Sequence, residues 1–288
     1  MRTATSRGNP QIRSRRETLA FTMVEIAISL AVIGFALVAI IGILPLGMNV
    51  QRENREETII NLDNDVLMDA IRNGSQGMDE LTNYVMAITN YVTEYYPRRG
   101  PVSYALGYTY TDSTIQPPFG LTNGFRIIGL LSTPKYVDLP AKQGSGFASN
   151  HVVAWVRSLS GPAHEKPPQN NTAVQELGFN YRILPEIVPY GTNYFDPSWT
   201  NWTIFSTNNP EYYNRLNYSM MVSNMQMNLH DVRLLYRWPL LPNGNTGSGR
   251  LAFRSLAGGV LINTNDPYYP ISTNNLYFFQ HNSYVKAP

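Results

Sequence analysis

The sequence predicts an α+β protein in which one long N-terminal helix packs on an antiparallel β-sheet. Two observations predict this class. Residues 21–48 are almost uniformly apolar, and a helically spaced apolar stripe continues to residue 73. Residues 101–288 instead alternate short runs of β-branched and aromatic residues with loops rich in Pro, Gly and Asn. A helix first and strands afterwards are typical of α+β proteins.

The composition is that of a folded protein without disulfides. Of 288 residues, 43% are apolar and none is cysteine, which excludes a thiolate nucleophile and a cysteine-ligated metal. The net charge is +2, but residues 1–20 hold five arginines and one acid. Residues 21–288 therefore carry 17 bases and 19 acids, a net charge of −2. A nearly neutral body argues against a nucleic-acid partner.

The first 48 residues divide into a basic leader (1–20) and an apolar segment (21–48). The uncharged part, residues 26–46, would form a helix of about 31 Å, which matches a bilayer core of about 30 Å. A secretory signal peptide would have a shorter apolar run followed by a small-residue cleavage site. We therefore predict a membrane-spanning helix. The arginines place the N-terminus in the cytoplasm and residues 50–288 outside.

Glu25 is the only charged residue of the apolar segment, and an acid in a membrane helix costs up to about 3 kcal/mol. One interpretation is an interfacial acid that reaches water. The surrounding residues 19–25, LAFTMVE, resemble the cleavage and methylation motif of type IV prepilins and type II secretion pseudopilins. In that family the cut precedes a Phe, here Phe21, and a Glu is the fifth mature residue, here Glu25. Gly34 matches the family's glycine at the fourteenth mature position, whereas Ala20 stands where the family usually has Gly.

The resemblance implies a structural subunit of a type IV pilus or of a type II secretion pseudopilus-like filament. Prepilin peptidase would cut between Ala20 and Phe21, and the new amine would neutralise Glu25 of a neighbouring subunit; Gly34 belongs to the same assembly helix. The implied partners are the peptidase, other pilin or pseudopilin subunits and the inner membrane. The head would be periplasmic, and the assembled filament periplasmic or extracellular. A mature chain of 268 residues is long for a major pilin and favours a minor subunit.

The exported part begins with the amphipathic half of the first helix, residues 49–73, which Gly74 ends because glycine is favoured just after a helix. A head follows over residues 74–288, with a second helix predicted near 78–96 and closed by Pro97. Seven strands are predicted, at residues 103–110, 125–131, 151–158, 178–184, 220–227, 232–238 and 250–253. Long surface loops are predicted at residues 161–171 and 242–249.

Catalytic chemistry has no recognisable motif in this sequence, so we predict no enzyme, no cofactor and no metal. There is no nucleophile elbow or P-loop, and the histidines form no metal-binding pair. Asp63, Asp65 and Asp69 do not converge on one point of a helix, which favours a solvated acidic face. Residues 263–266 form an oxygen-rich stretch that suits a turn better than a Ca²⁺ site.

Two other functions stay open at this point. A single-pass membrane-anchored periplasmic binding module would share the span and the head but would never polymerise. A membrane-tethered enzyme acting on surface polymers could use Tyr194, Trp199 and Trp202 to stack on glycans. Replacing Glu25 by Ala separates the filament subunit from the anchored module, because only the former needs the acid for assembly.

Overall fold

The computed structural model describes residues 21–75, 77–97, 99–109, 119–121, 123–139, 146–160, 179–190, 210–265 and 275–286. The helices in these ranges are α1 (Met23–Arg72), α2 (Gly124–Leu131) and α3 (Pro210–Asn228), with a 3₁₀ turn at Asp79–Asn83. The strands are β1 (Val85–Tyr96), β2 (Arg99–Thr109), β3 (Phe119–Gly120), β4 (Tyr136–Leu139), β5 (Gly146–Arg157), β6 (Asn180–Pro189), β7 (Leu229–Leu240), β8 (Thr246–Gly258), β9 (Val260–Asn265) and β10 (Asn275–Gln280). The chain divides into two compact units, Met1–Asn54 and Arg55–Pro288.

Eight of the described strands form one sheet in the second unit. Its order is β3-β2-β1-β5-β6-β7-β8, and β4 pairs with β5. All pairs of neighbouring strands in this sheet are antiparallel, except that β2 and β3 are parallel to each other. The strands β9 and β10 form a separate antiparallel pair. The predicted α+β class, with a long apolar N-terminal helix and an antiparallel sheet, is confirmed.

The core of the second unit lies between the last turns of α1 and the inner face of the sheet. Ile60 and Ile71 of α1 are completely buried in it. The sheet contributes rows of directly opposed side chains, such as Ile183 of β6 and Tyr236 of β7. Burying an Ile or Leu side chain contributes about 1.5–3 kcal/mol, so the apolar stripe of α1 attaches this part of the helix to the head.

The C-terminus of α1 lies where the sequence predicts it. Gly74 has a φ of +58°, which glycine adopts without strain. The N–H groups of Gly74 and Ser75 donate to the carbonyls of Ile71 and Ala70 at 3.1 and 2.9 Å, the pattern of a Schellman motif. A Cβ at position 74 would lie 2.2 Å from the carbonyl oxygen of Phe279. Both the local backbone and the packing of β10 therefore require glycine here.

The second helix predicted near residues 78–96 is wrong. A short 3₁₀ turn occupies Asp79–Asn83, and β1 then runs between β2 and β5. The buried side chains of Ile88 and Val92 are four residues apart, which fits one face of a helix and equally one face of a strand. Pairing on both sides and the many β-branched and aromatic residues of this segment favour the strand.

Two predicted strands are also wrong, because residues 125–131 form α2 and residues 220–227 lie in α3. The side chain of Asn123 caps α2 by accepting the N–H of Arg126 at 2.9 Å. α2 is buried on nearly all sides, so its apolar run has no polar face from which a helical period could be read. The segment within α3 mixes methionine with Ser, Asn and Gln and follows neither period.

The other predicted strands, at residues 103–110, 151–158, 178–184, 232–238 and 250–253, are confirmed as parts of β2, β5, β6, β7 and β8, except at some ends. Ser158 and Phe179 lie outside the strands, and residues 110 and 178 are outside the described residues. The loop predicted at 242–249 is wrong from Thr246 onward, where β8 begins. Likewise, residues 263–265 belong to β9 and are not a loop. Several predictions fall outside the described residues: the leader 1–20, the loop 161–171, Asp266 and the aromatic trio Tyr194, Trp199 and Trp202.

Candidate functional site

The first turn of α1 is stabilised by its own sequence. Thr22 precedes the helix, and its Oγ1 accepts the backbone N–H of Glu25 at 3.3 Å. Its carbonyl accepts the N–H of Ile26 at 3.2 Å. A threonine at the N-cap with a glutamate three residues later is the spacing of a capping box, and an acid in the first turn also complements the helix dipole. The sequence-based predictions above did not include this local role of Glu25, although the T-x-x-E spacing of residues 22–25 indicates it.

The apolar half of α1 has no partner among the described residues of its own unit. Every described side chain from Phe21 to Asn54 is exposed; Phe21 is 75% exposed and Phe35 is 81% exposed. Among the described residues, α1 alone is long and apolar enough to cross a membrane, with a mean hydropathy of 2.9 over 18 residues. Contiguous apolar surface of this extent marks a membrane or protein interface.

The residues that the motif singles out lie at the start of this helix, except that Ala20 is outside the described residues. Phe21 lies two residues before the start of α1, and Glu25 lies in its first turn with no ion pair to any described residue. A Cβ added at Gly34 would meet nothing within 4 Å. Glu25 and Gly34 therefore form no tertiary contact within the described chain that would account for their identity.

A second acid of α1, Asp63, has the opposite environment. It is fully buried, and its carboxylate accepts the N–H groups of Leu159 at 2.9 Å and Ser160 at 2.8 Å and the hydroxyl of Tyr181 at 2.7 Å. Burial raises the pKa of Asp63, and these hydrogen bonds only partly offset that effect. The predicted solvated face is wrong for Asp63, whose carboxylate links α1 to the end of β5 and to β6.

The remaining two acids of that trio, Asp65 and Asp69, are exposed as predicted. No group of three metal-ligating side chains occurs in the described part of the chain. The exposed pair is therefore available to solvent or to another molecule.

His230 and Asp231 are adjacent on β7 but act separately, because their side chains lie on opposite faces of the sheet. His230 packs against Phe279 in the core, and burial lowers its pKa to about 4. Asp231 lies on the outer face, where Arg254 and Arg233 bind it at 2.8 and 2.6 Å. Burial alone would raise the pKa of Asp231, but the hydrogen bonds and charges of the two arginines lower it below its ordinary value. The pair is structural.

Comparison of the chain with protein-family models, curated proteins and solved structures found no match. The candidate site is therefore defined by the chain itself. It consists of an exposed apolar helix, one carboxylate in its first turn and a phenylalanine that precedes it. This arrangement offers no reacting groups, but it presents one charge on a surface that otherwise favours lipid or other apolar helices.

Proposed function

We propose that this chain is a structural subunit, of the minor kind, of a type IV pilus or a type II secretion pseudopilus-like filament. The observation that carries the proposal is Glu25, in the first turn of an exposed apolar helix and within a prepilin-type motif, without a tertiary partner among the described residues. Processing before Phe21 would place a positively charged amine four residues from this acid. Before assembly, the chain would be anchored in the inner membrane with its head in the periplasm.

The physical reason for assembly lies in the same segment. The apolar half of α1 has no partner among the described residues of its own unit, so we expect the apolar surface that covers it to come from lipid or from other helices. In a bundle of such helices an unpaired carboxylate is strongly unfavourable, by about 3–5 kcal/mol when a buried partner is missing. The amine of a neighbouring Phe21 satisfies Glu25 and thereby sets the register between subunits.

The two-part character of α1 supports the same function. Its first half is apolar on all sides, whereas its second half is attached to the head by the buried side chains of Ile60, Asp63 and Ile71. A subunit built in this way can exchange lipid for neighbouring helices at one end and leave the head intact at the other. An anchored binding module would share this two-part helix but would not need the exchange.

The first test is the N-terminus of the protein isolated from its native membrane, in cells with and without prepilin peptidase. We expect a mature chain that starts at Phe21 only when the peptidase is active, with an added methyl group visible in the intact mass. A chain that still begins at Met1 or Arg2 in cells with active peptidase would contradict the proposal and favour the anchored module.

The second test separates the two roles of Glu25. Glu25→Gln removes the charge but keeps the capping box, which accepts Gln at this position. We expect both Glu25→Gln and Glu25→Ala to reduce the assembled fraction by about tenfold or more, because both lack the carboxylate that pairs with the amine.

Glu53→Gln, on the exposed side of the same helix, is the matched control and should assemble normally. If Glu25→Gln assembles like the unmodified chain, the acid is only a helix cap, and the charge-pairing basis of the proposal is lost.

A further inference from the structure

Three arginines form a row across the outer face of the sheet. Arg182 of β6 is directly opposite Arg237 of β7, which is directly opposite Arg250 of β8. Neighbouring strands are about 4.8 Å apart, so the three side chains start within about 10 Å of one another. Like charges in directly opposed positions destabilise a sheet. The row therefore favours binding of a negatively charged group.

The same strands offer an internal comparison. Four residues further along, Arg233 and Arg254 both bind Asp231, at 2.6 and 2.8 Å. Within the described residues, Arg182, Arg237 and Arg250 form no ion pair or hydrogen bond through their side chains, and the buried Nε of Arg182 lacks an acceptor. Within the described part of the chain, one arginine cluster is thus neutralised and the other is not.

A matching set of acids lies on the exposed side of α1 within the same unit. Glu57, Asp65 and Asp69 fall on one stripe with Asn61 between them, because all four positions are four residues apart. All four side chains are exposed, and the three acids have no ion pair among the described residues. Asp65 and Asp69 are separated by about 6 Å along the helix, close to the spacing of neighbouring arginines in the row, and Glu57 lies about 12 Å before Asp65.

We propose that the arginine row of one subunit (Arg182, Arg237 and Arg250) binds the acidic stripe of α1 (Glu57, Asp65 and Asp69) of a second copy of this chain. The proposal rests on the filament function argued above. The two surfaces form no ion pair with each other in the described chain, because α1 packs on the inner face of the sheet and the row lies on the outer face. Contact between two different surfaces is heterologous and repeats from copy to copy, as a filament requires.

A polyanion from outside is the less favoured occupant. Residues 55–288 carry 16 bases and 17 acids, so the head has no overall positive field to attract nucleic acid or an acidic polysaccharide. The acidic stripe, in contrast, is present in every copy and brings complementary charges, of which Asp65 and Asp69 have the spacing of two neighbouring arginines.

Reciprocal charge reversal tests the contact. We expect Arg237→Glu alone and Asp65→Lys alone each to reduce the assembled fraction by roughly tenfold, since each places like charges across the contact. The double variant Arg237→Glu/Asp65→Lys should recover most of the assembly, because it restores opposite charges. Lys286→Glu, the same charge change at an exposed position near the C-terminus, should have no effect.

Site-specific cross-linking provides a readout that does not depend on the amount of filament. The chain contains no cysteine, so Asp65→Cys and Arg237→Cys introduced in two co-expressed copies can form a disulfide only with each other or with themselves. We expect a mixed dimer under oxidising conditions, and none from Asp65→Cys combined with Lys286→Cys.

The outcomes separate this inference from the proposed function. If the unmodified chain is not processed at Phe21 and does not assemble, the filament function fails. If it assembles but Arg237→Glu and Asp65→Lys do so equally well, only the proposed contact is wrong. If these variants assemble normally and Arg237→Glu loses retention on a heparin column, the row binds an acidic polysaccharide instead, and the contact between copies is overturned.

Discussion

The two halves of α1 have the same backbone and opposite surroundings. Side chains from Phe21 to Asn54 are all exposed, although nearly all of them up to residue 48 are apolar. In the second half, a stripe of buried side chains from Ile59 to Ile71 joins the core of the head, and the acids Asp65 and Asp69 lie in solvent. In α1, the apolar surface is buried within the chain where polar residues leave a single stripe that one sheet can cover.

The acids of the two halves differ in the same way. Asp63 is satisfied by two backbone N–H groups and a tyrosine hydroxyl of its own chain. Glu25 has a capping interaction through its backbone but no partner for its carboxylate among the described residues. The carboxylate of Asp63 is thus hydrogen-bonded within the chain and joins α1 to the head, whereas that of Glu25 has no such partner among the described residues.

The largest expected effect comes from a substitution at a buried position in the second half of α1. Ile60→Ala should lower the free energy of unfolding of the head by about 2–5 kcal/mol, because it leaves a cavity at a fully buried position. Ile41→Ala is the matched variant in the first half; its side chain is 70% exposed, and we expect a change below about 0.5 kcal/mol. Denaturant unfolding of the full chain in detergent, followed by tryptophan fluorescence, measures both.

Equal effects of these two variants would contradict the division of α1 into an unpartnered half and a packed half. A loss of stability with Ile41→Ala alone would indicate that the apolar half is also held by the head.

A smaller effect concerns pH and belongs to the packed unit. The pKa of His230 is lowered to about 4 in the folded chain, from 6.5, because the ring is buried. Between these two values the unfolded chain binds more protons, so His230 makes stability fall as pH decreases from about 6.5 to 4. The difference corresponds to roughly 3 kcal/mol at most. Asp63 acts in the opposite direction, because its raised pKa makes stability fall as pH rises through the folded value.

His230→Phe isolates the histidine contribution and keeps an aromatic ring against Phe279. We expect its unfolding free energy to decrease less than that of the unmodified chain when the pH is lowered from 6.5 to 4. Identical pH profiles of the two proteins would show that His230 does not titrate with a lowered pKa.

The parts of the fold that sequence reasoning predicted correctly are those in which a local signal agrees with the tertiary environment. α1 and its end at Gly74 follow from an apolar run, a helical stripe and a glycine at the C-cap. The errors occur where two periods fit the same residues, as with Ile88 and Val92 in β1, or where an element such as α2 is buried on nearly all sides. In those cases the number and position of neighbouring strands decide the structure, and a single sequence does not contain that information.

The sequence by itself determined the apolar helix, its single acid at Glu25 and the motif around Phe21, because these depend on the order and kind of neighbouring residues alone. Only the tertiary structure decided that Asp63 is buried and Asp65 is exposed, and that Arg182, Arg237 and Arg250 stand side by side. The physical reason is that burial and cross-strand register are set by residues far apart in the chain. Their effect on a charge appears only when the sheet and the helix have been brought together.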